Sequence, residues 1–160
     1  MRGRLHPAIT NVSTSHSVRK MRPHVKMLIG NYVTFEMKSQ QSGGSPYCRL
    51  CQNINNNDDG NIESNNFEVE TVEHLISTCK GLSETRTNIL KNMKNMCIEA
   101  DVKIDIDNFT NNELTQYILD PSSLNLTNRV SINHPILPKL FQLSRDFCYK
   151  IDRTRMKLSS

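Results

Sequence analysis

Apolar residues are scarce in this chain. Only 36% of its 160 residues are hydrophobic, against a usual share of about 45–50% once Gly is counted, and the six Gly do not close the gap. The core is therefore thin for the length, and a metal ion or a partner would be a useful further source of stability. No run of 18 apolar residues occurs, so no helix is expected to span a membrane, and no membrane partner is expected. The opening stretch MRGRLHPAITNVSTSHS has no apolar h-region and does not read as a secretory signal.

Catalytic signatures are missing as well. There is no Tyr-x-Asp-Asp polymerase motif, no Gly-x-Ser-x-Gly and no phosphate loop. Asp101, Asp105 and Asp107 lie close together, but they alternate with Val102, Ile104 and Ile106. That pattern suits a solvated extended face better than a two-metal nuclease. The chain is expected not to be an enzyme.

Charge is present but unevenly placed. Residues 1–50 carry eight Lys/Arg and one acidic residue, residues 51–80 one Lys and six acidic residues, and residues 81–160 eleven basic and nine acidic. A basic N-terminal third suits phosphate contact, which releases condensed counterions. A solvated basic arm is an equally good reading of charge alone. The five cysteines are an odd number with no signal beside them. This favours an intracellular setting, nuclear or cytoplasmic, and metal binding over disulfides.

Hydrophobic periodicity predicts helices. Met21, Val25, Leu28, Ile29 and Tyr32 recur at helical spacing, with Pro23 at the first turn and Gly30-Asn31 at the end. A second short helix is expected over 33–40, and residues 42–46 break it. Residues 52–69 are Asn-rich and acidic, and read as a flexible loop. Helical stripes follow at 71–77 and at 83–98. Thr110 and Glu113 resemble a capping box, and Pro121 stops that helix. Ile136, Leu137, Leu140, Phe141, Phe147, Cys148 and Ile151 mark a long last helix. Residues 101–109 are expected to be an extended linker. His24 is expected on the surface, and Cys97 and Cys148 are expected as core thiols.

The chemistry is carried by Cys48-x-x-Cys51 and by His74 with Cys79. Thiolates and imidazole hold zinc tetrahedrally, and a C-x2-C turn brings two sulfurs to one ion. On an ideal helix each residue turns about 100°, so two residues five apart lie about 140° around the axis. His74 and Cys79 therefore cannot share an ion on an unbroken helix, and the helix bearing His74 should stop before Cys79. The competing reading is a chance set of buried thiols.

These residues also carry a resemblance. SGGSPYCRLC, then ETVEHLISTC, then LSETR resembles the zinc-binding domain at the C-terminal end of non-LTR (LINE-like) retrotransposon reverse transcriptases. Glu70, Thr71, Glu73, His74, Leu75 and Cys79 match that family's run, and residues 25–32 resemble its lead-in helix. The likeness spans roughly residues 20–95. It implies four zinc ligands, a helical setting, and a place downstream of polymerase or ribonuclease H domains. The 22 residues between Cys51 and His74 depart from the family pattern; closure cost grows only with the logarithm of loop length, so the insertion is tolerable.

The expected fold is all-α: a small helical domain with a CCHC zinc knuckle and a long Asn-rich loop. The expected division is a flexible basic arm at 1–17, a helical zinc-binding domain at 18–98, a linker with one short helix at 99–134, and a C-terminal helix at 135–157 packing on the domain. The expected metal ligands are Cys48, Cys51, His74 and Cys79, holding Zn2+. The expected partners are RNA or another single-stranded nucleic acid, and the reverse transcriptase core of the parent polyprotein. Arg19, Lys20, Arg22, Lys26 and Arg49 would meet phosphate, and Tyr47 would stack on a base. The runner-up is a structural or protein-interaction zinc module that binds no nucleic acid, favoured by the acidic loop.

Overall fold

The computed structural model describes residues 14–55, 68–123 and 134–158. Most of the predicted basic arm and most of the Asn-rich loop lie outside these residues. The described residues are all-α, without a strand. One isolated antiparallel bridge joins Tyr47 to Val69. Among the described residues no helix is long and apolar enough to cross a membrane.

Helix α1 runs Ser15–Leu28. It begins eight residues before Pro23 because the Thr14 hydroxyl caps it, accepting from the Ser17 N–H at 3.1 Å. The expected start at Pro23 is therefore corrected. Pro23 lies inside the helix and withholds the N–H that would reach the Arg19 carbonyl, a cost of about 3 kcal/mol in an exposed helix. Its burial, with that of His24 and Met27, opposes this cost. The end is a Schellman turn: Gly30 has φ +73°, its N–H reaches Met27 O, and Asn31 N–H reaches Lys26 O at 2.7 Å.

The buried side of α1 is also rotated from the expected stripe. Pro23, His24 and Met27 are inside, while Ile29 is 60% exposed. His24, expected on the surface, is fully buried. Its Nε2 lies 2.7 Å from the Leu119 carbonyl, an acceptor 95 residues away that local periodicity does not reveal.

Helix α2, Phe35–Ser42, is capped by Thr34, so it sits two residues later than expected. Helix α3, Arg49–Asn55, takes up the first residues of the predicted loop. A π-helical turn, His74–Thr78, and a 3-10 turn, Lys80–Leu82, lead into α4, Ser83–Glu99. Residues 102–105 carry no regular secondary structure, and a 3-10 turn at Ile106–Asn108 interrupts the expected extended linker. Helix α5, Asn111–Leu119, has the full capping box: Glu113 N–H reaches Thr110 Oγ1 at 3.2 Å, and Thr110 N–H reaches Glu113 Oε2 at 2.8 Å. Helix α6 runs Leu137–Lys157.

Two apolar clusters organise the packing. The first joins Met27 and Tyr32 to Leu50, Leu75, Ile76 and Leu82 around the cysteine turn, and to Phe147, Cys148 and Ile151 of α6. The second joins Met93 and Cys97 of α4 to Tyr117 of α5 and to Leu137, Leu140 and Phe141 of α6. Helix α6 thus belongs to both clusters, and its most extensive contact is with α1.

Candidate metal centre

Two chain segments meet to build the site. The Cys48 N–H donates to the Glu68 carbonyl at 3.0 Å, and the Glu70 N–H donates to Pro46 O at 2.9 Å. This short pairing brings the far end of the acidic spacer back beside the cysteine turn. Cys48 then precedes α3, whose first turn carries Cys51. The 3-10 turn closes over α3 so tightly that a Cβ on Gly81 would lie 2.8 Å from Leu50 Cβ and 3.0 Å from Leu50 O. Only Gly fits there without a shift.

His74 and Cys79 are brought onto one side by the π turn. The Cys79 N–H reaches back five residues to His74 O at 2.7 Å. This wider turn brings residues five apart closer to one face than a 3.6-residue helix does. The helical element ends at Thr78 and Cys79 is extended, with φ −53° and ψ 119°. The expected stop before Cys79 is therefore present. Arg86 Nη1 donates to the Cys79 carbonyl at 3.1 Å.

The four side chains are buried, and their ligand atoms all lie within 4.8 Å of one another. Cys79 Sγ is 3.7 Å from both Cys48 Sγ and Cys51 Sγ, and Cys51 Sγ is 3.5 Å from His74 Nε2. Tetrahedral arms of about 2.3 Å to sulfur and about 2.0–2.1 Å to nitrogen imply edges of about 3.8 Å and about 3.5 Å. The spacings fit one such ion.

His74 is held in the matching orientation. Its Nδ1–H donates to Glu68 Oε2 at 2.6 Å, with Thr78 Oγ1 at 3.0 Å. Thr78 Oγ1 also donates to Glu68 at 3.0 Å. Nε2 is thereby left to face the sulfurs, the carboxylate–histidine arrangement common around metal sites. Hydrogen bonds from Thr78 and His74 overcome the opposing effect of burial and hold the Glu68 carboxyl below its ordinary range.

The sulfurs do not share one electrostatic condition. The contact with Cys79 pulls the Cys48 pKa down to about 4, against burial. The same contact, followed by burial, pushes Cys79 strongly up. Burial raises Cys51. Burial alone would lower the His74 pKa, but the Cys48 sulfur and the Glu68 carboxylate override it and raise it. One thiolate is thus favoured and the next two resisted, by the contact with Cys48 and by burial, with repulsion between like charges adding to both. A cation among them removes that repulsion and favours thiolate at all three. The donor set fits a metal ion.

The six residues expected at nucleic acid fall in separate places. Arg19, Arg22 and Lys26 are exposed along α1 and line a groove against α6. Lys20 is engaged by Asp146 at 2.8 Å. The Arg49 guanidinium lies 4.9 Å above the Phe35 ring centre. Tyr47, beside the knuckle, is 42% exposed.

Glu68 and Thr78 escaped sequence reasoning, as did Arg155 of α6. Glu70 is fully buried; its Oε1 accepts from Phe35 N–H at 3.0 Å and pairs with Arg155 Nη2. Arg155 Nη1 also donates to Tyr32 Oη at 2.8 Å. The resemblance had marked Glu70, but nothing local pointed to Arg155, 85 residues on. Comparisons of the chain with family models, with curated proteins and with solved structures gave no match.

Proposed function

We propose that the chain is a non-catalytic zinc-binding module that presents a basic surface to nucleic acid, RNA or a single-stranded template, beside a reverse transcriptase core. The observation that carries the metal part is the convergence of three sulfurs and one imidazole within 4.8 Å. Three thiolates and a histidine suit zinc by softness and by geometry. Four protein ligands saturate a tetrahedral ion and leave no position for an activated water. The ion is therefore a staple. In structural sites of this kind, binding contributes on the order of 10 kcal/mol to folding.

The nucleic-acid part is supported by the exposed cations of α1 and by the basic N-terminal third. Phosphate contacts of this kind give affinity without sequence choice. The place beside a reverse transcriptase rests on the residue resemblance alone. The test is salt-dependent binding of single-stranded RNA by the metal-loaded chain, and its loss in the double variant Arg22→Glu, Lys26→Glu. Both side chains are exposed, so the fold, checked by circular dichroism, should persist.

A second reading, a structural or protein-interaction zinc module, is favoured by the six acidic residues of 51–80. Their charge repels phosphate from the knuckle. One bound metal with no RNA binding at 50 mM salt would select this reading.

A further inference from the structure

We propose that the groove between α1 and α6 is the strand-binding surface, with Arg153 of α6 as its second wall. The proposal rests on the nucleic-acid reading above and gives it a place. Helices α1 and α6 share the first cluster, through Met27 and through Phe147, Cys148 and Ile151, and their rims enclose a groove of about 370 Å³.

Arg19, Arg22 and Lys26 line one side. At about 1.5 Å per residue they step by about 4.5 and about 6 Å along the axis, a row of charge rather than a point. Arg153 faces them from α6. All four are exposed, and none is ion-paired with a described acidic residue, unlike Lys20, Lys94 and Arg155. The one carboxylate in the lining is Asp152, which already accepts a hydrogen bond from Tyr32 Oη at 3.1 Å. Four cations against one engaged carboxylate fit a polyanion.

Tyr149 is half-buried in the same lining. An aromatic ring beside a basic row is the arrangement on which unpaired bases stack. A duplex keeps its bases inside and would leave Tyr149 without a partner. The groove therefore takes a single strand, phosphates along α1 and Arg153, and a base on Tyr149. Arg153 carried no signal in the sequence beyond its charge, because only the packing of α6 on α1 sets it opposite Arg22.

The test uses the full metal-loaded chain and a labelled 20-nucleotide oligouridylate, with anisotropy titrations from 50 to 300 mM KCl. Arg153→Gln and Arg22→Gln should each weaken binding several-fold. Each should also lower the slope of log K against log salt by about 0.7, the value for one lost phosphate contact on a single strand. Lys139→Gln, on the same helix but about 15 Å from Tyr149 along the axis, should match the parent chain. A duplex of equal length should bind more weakly.

If Arg153→Gln matches the parent while Arg22→Gln does not, the groove is overturned and nucleic-acid binding stands. If neither variant differs from the parent, the strand lies elsewhere and the groove is again overturned. If the parent chain binds no oligouridylate at 50 mM KCl, or binds only phosphatidylserine vesicles, both the groove and the nucleic-acid reading fall.

Discussion

The five cysteines divide between two regions that burial alone does not tell apart. Cys48, Cys51 and Cys79 are buried at the knuckle, and Cys97 and Cys148 are buried in the helical body, on α4 and α6, Cys148 within the apolar cluster that also backs the knuckle. In the body each thiol is an apolar filler. Cys97 lies 3.6 Å from Tyr117 Oη, and burial pushes the pKa of Cys97 and of Cys148 up. At the knuckle three thiols and an imidazole face one another, and one sulfur is driven down to about 4. The same residue, equally hidden, fills apolar space in one place and stands among potential metal donors in the other. What separates the two is the neighbour across the gap.

The energetics of the two regions differ accordingly. The second cluster closes on Met93, Tyr117, Leu140 and Phe141 and needs nothing but water-excluded area. The knuckle lies within the first cluster, against Leu50, Leu75, Ile76 and Leu82, and adds backbone pairing at Cys48 and Glu70, one buried ion pair and four polarisable donors that face one another. On the proposed reading, an ion stabilises the knuckle to a degree that it does not stabilise the second cluster.

Chelation should break the comparison open most widely. Stripping the metal removes on the order of 10 kcal/mol from the knuckle. Hydrogen exchange should then rise across residues 46–55 and 68–82 before it rises across α4 and α5. Uniform exchange in both regions would show that the knuckle folds without metal. The next largest effect should come from Arg155→Met, which leaves the Glu70 carboxylate buried without its cation. A loss of about 3–5 kcal/mol is expected in denaturant unfolding.

Glu68→Gln is a finer probe. It weakens the hydrogen bond that orients His74, and metal affinity should fall about tenfold to about a hundredfold in competition with a chromophoric chelator. Thermal stability at a fixed free metal concentration should fall in step, by about 1.4–2.7 kcal/mol. The smallest effect belongs to the other region: Cys97→Ala should cost about 1 kcal/mol and leave metal content as in the parent chain.

Much of the site was legible because its logic is local. Two cysteines three apart, and a histidine five before a cysteine, are short patterns. Helix geometry alone required the chain to open before Cys79. The capping box at Thr110 was equally readable, since all its groups lie within four residues. The start of α1 is not legible from Pro23, because a proline that suits a first turn also sits inside this helix, and the Thr14 cap sets the start eight residues earlier. His24 and Arg155 were opaque for one common reason. Their contacts join chain segments that meet after 95 and 85 residues, and no window of sequence contains both partners. Glu68 lies between these extremes: it is six residues from His74, but its use depends on the pairing of Glu68 with Cys48 across the spacer.

Cys48, Cys51, His74 and Cys79 are proposed to hold one ion between them. The direct measurement is metal content by mass spectrometry after purification without added zinc, for the parent chain and for His74→Ala and Cys148→Ala. One equivalent of zinc is expected in the parent and in Cys148→Ala, with little in His74→Ala. A parent chain that is folded and free of metal, or a His74→Ala variant that keeps its full equivalent, would contradict the account.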